Sequence, residues 1–400
     1  MQTNLAANIQ QGSHASAIES ILRKCVHCGF CNATCPTYQL RGDELDGPRG
    51  RIYQMKQFFE GEPANAEMLK HLDRCLTCRS CETTCPSGVK YSQLLEIGKQ
   101  AIERELPRPA WDRLRRWGIV RFINSGWFFV ASIRLGQALA RAMPSAIRQS
   151  IPLRQVLVTR DTATHPRKVL MLAGCVQPVL APNTNLLAAN LLDRLGIEVV
   201  EVQGKHCCGA AAAHTSAPEY ALRQARQLID SWWPYIEAGV EAIVVTATGC
   251  GVSVRDYEQQ LADDPAYAHK ARQVSALYCD LIELVEAEIE SLETVKVPLR
   301  RVAVHTPCTM QHGLGINNRV EHLLASVGHE ICRVEDAHLC CGSAGTYSML
   351  QPVLASQLRK NKIHALCKDQ PEVIATANIG CQVHLAQGND IPVVHWVELL

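Results

Sequence analysis

Cys25-Val26-His27-Cys28-Gly29-Phe30-Cys31-Asn32-Ala33-Thr34-Cys35-Pro36 reads as C-x2-C-x2-C-x3-C-P. Cys75-Leu76-Thr77-Cys78-Arg79-Ser80-Cys81-Glu82-Thr83-Thr84-Cys85-Pro86 repeats the pattern. In this arrangement three closely spaced thiolates wrap one [4Fe–4S] cubane, and the fourth, before the proline, reaches the other cubane. The spacing assigns Cys25, Cys28, Cys31 and Cys85 to one cluster. It assigns Cys75, Cys78, Cys81 and Cys35 to the second. Crossed ligation requires the two motifs to fold side by side, and each proline fixes φ and ends the local turn. The alternative is a zinc scaffold. Zinc sites pair two C-x2-C knuckles across a loop of about a dozen or more residues, which is not this pattern. A three-cysteine C-x3-C-x2-C radical motif is absent.

Between the motifs, Leu40 to Leu72 is longer than the linker of small two-cluster ferredoxins and suits a helical ferredoxin module. It holds Gly47-Pro48-Arg49-Gly50-Arg51 and then an apolar helical run, Ile52 to Phe59. Arg49 and Arg51 either donate to cluster sulfurs or are simply solvated, and are read as local structural or electrostatic groups rather than catalytic ones.

The C-terminal zone is an internal duplication. Cys175, Cys207-Cys208-Gly209 and Cys250 are matched by Cys308, Cys340-Cys341-Gly342 and Cys381, with a first gap of 32 residues in both halves. Val169-Leu170-Met171-Leu172 and Ala242-Ile243-Val244-Val245 precede cysteines in the first half. Val302-Ala303-Val304 and Val373-Ile374-Ala375 do so in the second. Short β-branched runs read as buried strands. Helical stretches from Ala217 to Ile236 and from Pro352 to Leu366 alternate with them, which implies a mainly parallel α/β sheet. Four of the cysteines then sit just past the carboxyl ends of strands, where open sheets build sites. The expected fold is α+β multidomain. Residues 1–105 form an α-helical two-cluster ferredoxin domain, and 106–165 a basic amphipathic helical connector. Residues 166–298 and 299–400 are the two Cys-Cys-Gly α/β halves.

Apolar content is 47%, charge 20% and net charge +1 over 400 residues, so no global charge argues for nucleic acid. The N-terminus shows no basic and then apolar leader, so the 19 cysteines are read as metal ligands in reducing cytoplasm rather than as disulfides. No run is long and apolar enough to span a bilayer. From Trp111 to Arg160 there are nine arginines and one acid, Asp112, interleaved with Trp111, Trp117, Phe122, Trp127, Phe128 and Phe129. This pattern fits an interfacial helix on anionic lipid, or a connector packed on a partner subunit.

Cys-Cys-Gly repeats following two ferredoxin motifs resemble a known family, the iron–sulfur subunits of glycolate oxidase, anaerobic glycerol-3-phosphate dehydrogenase and lactate-utilisation complexes. The stretches that carry the resemblance are Cys25 to Tyr38, Gly42 to Tyr53, His71 to Gly88, Asn183 to Asn185, Leu339 to Tyr347, and Ala377 to Gln382. They lie nearest the glycolate oxidase members. The resemblance implies an FAD-bearing flavoprotein partner that oxidises glycolate, and electron delivery to a membrane quinone from the cytoplasmic face. Heterodisulfide reductases share the Cys-Cys-Gly domain, and a catalytic thiol–disulfide reductase is the rival reading. There each unit ends in C-x2-C, whereas here Ser253 and His384 stand at the second cysteine.

Cys175, Cys207, Cys208 and Cys250, and likewise Cys308, Cys340, Cys341 and Cys381, are therefore read as holding a third iron–sulfur cluster or as redox-silent core cysteines. His206, His214, His305, His312 and His338 lie near them and are read as polar core or surface groups. Cys279, Cys332 and Cys367 are read as ordinary buried cysteines. No strand–G-x-G-x-x-G–helix unit and no P-loop appears. Hydride removal from a hydroxy acid needs a two-electron cofactor, so substrate chemistry is expected on another subunit.

Overall fold

The computed structural model describes all residues except 145–150, 153, 161–162, 203, 205–206 and 289–296. Arg148 of the connector and His206 therefore lie outside the described residues. The architecture is α+β and multidomain: a helical N-terminal domain, two connector helices, and two duplicated parallel-sheet halves.

In the N-terminal domain, Ala15–Lys24 buries Ile18, Ile21 and Leu22 along one face. Pro48–Phe59 carries its proline in the first turn, where the missing N–H is harmless. The side chain of Asn65 caps Ala66–Asp73 by accepting from the Met68 N–H. These helices and Tyr91–Glu105 close over Leu22, Met55, Phe59, Leu72 and Leu94.

The first half contains strands β1 (Arg167–Met171), β2 (Ile197–Val200), β3 (Ala242–Val245) and β4 (Tyr278–Asp280). The second contains β5 (Arg301–His305), β6 (Glu330–Ile331), β7 (Val373–Thr376) and β8 (Val393–His395). Both sheets are parallel, in the orders β2-β1-β3-β4 and β6-β5-β7-β8. Parallel strands covered on both faces are apolar throughout. Val169 faces a core shared by the two halves, with Val302, Val304, Val373 and Trp396. Leu170 and Leu172 face the other way, onto Leu228, Ile229 and Trp232. Ala303 and Ile374 do the same in the second half. The shared core brings the carboxyl ends of the two sheets together. There Thr248 donates its N–H to the Ala377 carbonyl, 3.1 Å away.

The connector consists of Ala110–Ile123 and Trp127–Leu139. It is docked by charge. Asp73 meets Lys99 at 2.8 Å, Arg108 at 2.7 Å and Arg116 at 2.9 Å. Burial pushes this carboxyl up, but Lys99, Arg108 and Arg116 outweigh it and hold it well below the usual range. A depressed carboxylate stabilises above its unfolded value of about 3.9, and the contribution is lost as pH falls through the folded value. Docking is therefore expected to persist to below about pH 4. Asp73→Asn removes the carboxylate that Lys99, Arg108 and Arg116 share, while Arg108 keeps Glu103 and Arg116 keeps Asp112, so the expected loss is about 1.5–3 kcal/mol. Denaturant titration should show an earlier midpoint; an unchanged midpoint would refute the role.

Candidate metal centres

Both cysteine motifs adopt one backbone. His27 and Thr77 have φ of 62° and 52°, and Gly29 and Arg79 have φ of 86° and 61°. Left-handed residues other than glycine carry strain that surrounding structure must hold, and such strain gathers at functional sites. Here it curls each loop around a cavity. One cavity is lined by Cys75, Cys78, Cys81 and Cys35, with Leu76, Tyr91 and Leu95. The other is lined by Cys25, Cys28, Cys31 and Cys85, with Val26, Ile52 and Val89. The fourth cysteine of each motif thus stands in the cavity of the other, and Cys81 lines both. Among the described residues, no three of these eight sulfurs lie mutually within 4.8 Å. They are spread around a volume rather than gathered on a point, which fits a multi-iron cluster. Burial, and next the nearby Cys25, push the Cys31 thiol up to about 11. Without metal it is a neutral thiol, and metal binding must displace its proton.

Arg51 is not solvated. It is 1% exposed, donates to the His71 carbonyl at 2.8 Å and to Thr37 Oγ1 at 3.2 Å, and faces Cys75 and Cys35. Arg49 pairs with Glu44 at 2.5 Å. Sequence reasoning missed Asp46, which is fully buried against His71 at 2.8 Å, Arg74 at 2.9 Å and Arg41 at 2.8 Å. Asp43, Asp46 and His71 have metal-like spacing, but the arginines already satisfy Asp46.

In each Cys-Cys-Gly half the glycine sits at positive φ, 87° at Gly209 and 90° at Gly342. A Cβ there would lie 2.8 Å from the carbonyl oxygen of Ala221 or Ala355. Only glycine lets the loop lie this close to the following helix. In the first half Cys207 touches Cys175 and Cys208, and Cys208 touches Cys250. Hydrogen bonds from Cys175 and Cys208 pull Cys207 below the ordinary thiol range. In the second half Cys308 Sγ is 3.7 Å from Cys340 Sγ, Cys340 touches Cys341, and Cys341 touches Cys381. All eight repeat cysteines are thus gathered into two sets.

Ser253 turns to the Gly249 carbonyl at 3.4 Å, and His384 to the Ala355 carbonyl at 3.3 Å. Burial lowers His384 to about 4, so it is neutral. His312 bonds to Thr83 Oγ1 at 2.8 Å and the His338 carbonyl at 3.3 Å, tying the ferredoxin domain to the second half. Cys332 is buried, while Cys279 and Cys367 are only half-buried.

The second half also abuts the ferredoxin domain at a sulfur. Cys78 faces Cys308 and Cys340 and packs against Leu76, Tyr347, Leu354 and Leu358. The two repeat sites are joined by Asn378, which accepts from the Gly249 N–H at 3.2 Å and donates to Cys381 Sγ at 3.4 Å.

Comparison with known proteins matches residues 21–89 to a 4Fe-4S dicluster domain, and 169–255 and 302–386 to a cysteine-rich domain. The glycolate oxidase iron–sulfur subunit of Escherichia coli is 50% identical, covering 100% of this chain and 98% of the relative. A probable glycolate oxidase iron–sulfur subunit of Bacillus subtilis is 28% identical over 96% of this chain and 94% of the relative. Lactate utilization protein A of an Exiguobacterium is 27% identical, over 58% of this chain and 96% of its own length.

Proposed function

Since the chain belongs to the family of glycolate oxidase iron–sulfur subunits, we propose that it carries electrons from an FAD-bearing flavoprotein that oxidises glycolate to glyoxylate, toward a membrane quinone. The observation that carries this is the crossed arrangement, in which Cys85 lines the outer cavity with Cys25, Cys28 and Cys31, and Cys35 lines the inner one with Cys75, Cys78 and Cys81. Cys25, Cys28, Cys31 and Cys85 would hold one [4Fe–4S] cluster, and Cys75, Cys78, Cys81 and Cys35 the other. When bound, these clusters supply one-electron transfer.

The chain's own groups prepare the sites. Leu76 and Leu95 keep water from the inner cavity. Tyr91 Oη donates to Cys75 Sγ at 3.6 Å, and the Thr77 N–H to the same sulfur at 3.4 Å. Arg51 holds a fixed positive charge beside Cys75 and Cys35. Such donors and charges tune an iron–sulfur centre. The outer cavity opens at exposed Cys28, between Val26 and Phe30, which are 67% and 62% exposed. This apolar rim suits approach of the flavoprotein. The all-thiol set Cys175, Cys207, Cys208 and Cys250 is suited to an additional iron–sulfur cluster. D-lactate is proposed as a second substrate of the complex; similarity to a lactate utilization protein over 58% of the chain supports lactate as the class. Anaerobic co-purification with partners, followed by iron, sulfide and flavin analysis, tests the reading; a preparation without labile sulfide overturns it.

The connector supports peripheral attachment to the cytoplasmic face of the membrane. No helix among the described residues is long and apolar enough to cross one. Trp111, Leu114 and Trp117 are exposed on its first helix, and Trp127, Phe128, Leu135 and Leu139 on its second. Phe129 is buried against Phe122 and is not part of this surface. Arg113, Arg121 and Arg134 are exposed around it. A triple Trp117→Ser, Trp127→Ser, Phe128→Ser variant of the assembled complex should lose at least about tenfold in binding to anionic liposomes, since a fully buried large apolar side chain contributes ~1.5–3 kcal/mol. High salt should weaken the wild-type binding. Undiminished sedimentation of the variant would rule this surface out.

A further inference from the structure

The two Cys-Cys-Gly halves match in topology, but two buried positions that are leucine in the first half carry basic side chains in the second. His305 lies three residues before Cys308, where the first half has Leu172 before Cys175. Lys362 lies seven residues after Ala355, where the first half has Leu228 after Ala221. Ala355 and Ala221 fix this register, because each presents its carbonyl to the glycine of its own triplet. Leu172 and Leu228 are both in the apolar core. Replacing two core leucines by an imidazole and an ammonium group is unfavourable unless something partners them.

His305 is 1% exposed, and neither Nδ1 nor Nε2 has a hydrogen-bond partner. Its ring shares a point with two sulfurs: the ligand atoms of His305, Cys341 and Cys381 all lie within 4.8 Å of one another. Among the described residues no other group containing a cysteine is gathered so closely. The ferredoxin sulfurs are spread around cavities, whereas these three donors converge. Lys362 is 3% exposed and donates to the carbonyls of Asp336 and Ala337 at 2.9 Å each. The titratable groups facing it are Cys341, Cys340, Asp336 and Cys308, three thiols and one carboxylate. A buried ammonium group beside thiols calls for anionic sulfur.

We propose that the second repeat binds a single thiophilic divalent ion of the zinc class through His305, Cys341 and Cys381. Cys340, which touches Cys341, is the adjoining thiol for a fourth position. One imidazole and thiolates form a donor set that zinc accepts in tetrahedral geometry. Three thiolates around a divalent ion leave one negative charge, which Lys362 balances. His305 is then the residue that separates the halves: the first offers thiols alone, the second a nitrogen-capped single-ion site.

The test uses the full chain, purified anaerobically and supplied with zinc sulfate. Wild type is expected to hold one zinc per chain, with X-ray absorption showing a nitrogen neighbour at about 2.0–2.1 Å and sulfurs at about 2.3 Å. His305→Leu, which restores the first half's residue, should lower zinc at least about tenfold and leave iron at the wild-type level. His305→Cys should keep zinc and lose the nitrogen neighbour, which guards against a folding defect. Zinc absent from the wild type, or unchanged in His305→Leu, overturns the proposal. So does iron with labile sulfide at this site, seen as iron lost in Cys381→Ser. Because ferredoxin iron is read separately, failure here is distinct from failure of the electron-transfer reading.

Discussion

Cys78→Ser is expected to remove the cluster of the inner cavity outright, taking about four of the eight irons that two cubanes contain. The reason is placement. Cys78 is half-buried and packs against Leu76, Tyr347, Leu354 and Leu358, so this apolar surround leaves water little room to replace the lost ligand. The effect should extend further than the cluster itself. Cys35 and Cys85 cross between cavities, so a collapsed inner loop loosens the outer set. Cys78 also faces Cys308 and Cys340, so the contact with the second repeat weakens. Cys28→Ser should be milder, because Cys28 is exposed at the rim of the outer cavity. Iron and acid-labile sulfide analysis, with electron paramagnetic resonance of the reduced protein, reads both variants. Equal losses from the two would contradict the placement. Stoichiometric zinc without labile sulfide at the ferredoxin motifs of the wild type would remove the iron–sulfur reading.

The isolated chain is expected to show no glycolate oxidation with an artificial acceptor, and activity should appear when flavoprotein subunits are added. Abstraction of a hydride, which carries both electrons of the oxidation, needs a two-electron cofactor. The cavities at the ferredoxin motifs are each lined by four cysteines or more, with apolar groups and a few polar ones such as Arg51 and Arg49, a lining suited to one-electron centres. Turnover measured with each subunit alone and in combination decides it. Glycolate-dependent reduction by the chain alone, free of flavin from another subunit, would falsify the division of labour.

Much of the fold was legible because cysteine spacing and strand periodicity are local signals. The duplicated triplets announced two α/β halves, and the strands and helices lie close to where the runs Val169–Leu172, Ala242–Val245 and Pro352–Leu366 placed them. Other features were hidden. Arg51 reads as one charge in a basic run, yet it is interior, because Asp46, Thr37 and the His71 carbonyl surround it from three segments. Phe129 reads as part of an exposed aromatic set, yet helix rotation turns it onto Phe122. His305 carried a sequence signal that comparison of the halves exposes, a histidine where the duplicate has Leu172.

The sequence by itself determined the number and grouping of the ferredoxin cysteines, the duplication and the parallel α/β character of its halves. Each follows from spacing along the chain, which covalent geometry and the two backbone periodicities convert directly into local structure. Only the tertiary structure decided which sulfur faces which. That Cys78 meets Cys308 and Cys340, and that Asn378 spans Gly249 and Cys381, depends on residues far apart in sequence. Those meetings are set by a core shared between Val169 of one sheet and Val302 of the other. Burial of apolar surface fixes such a core without direction, so no local pattern records which polar groups it will bring together.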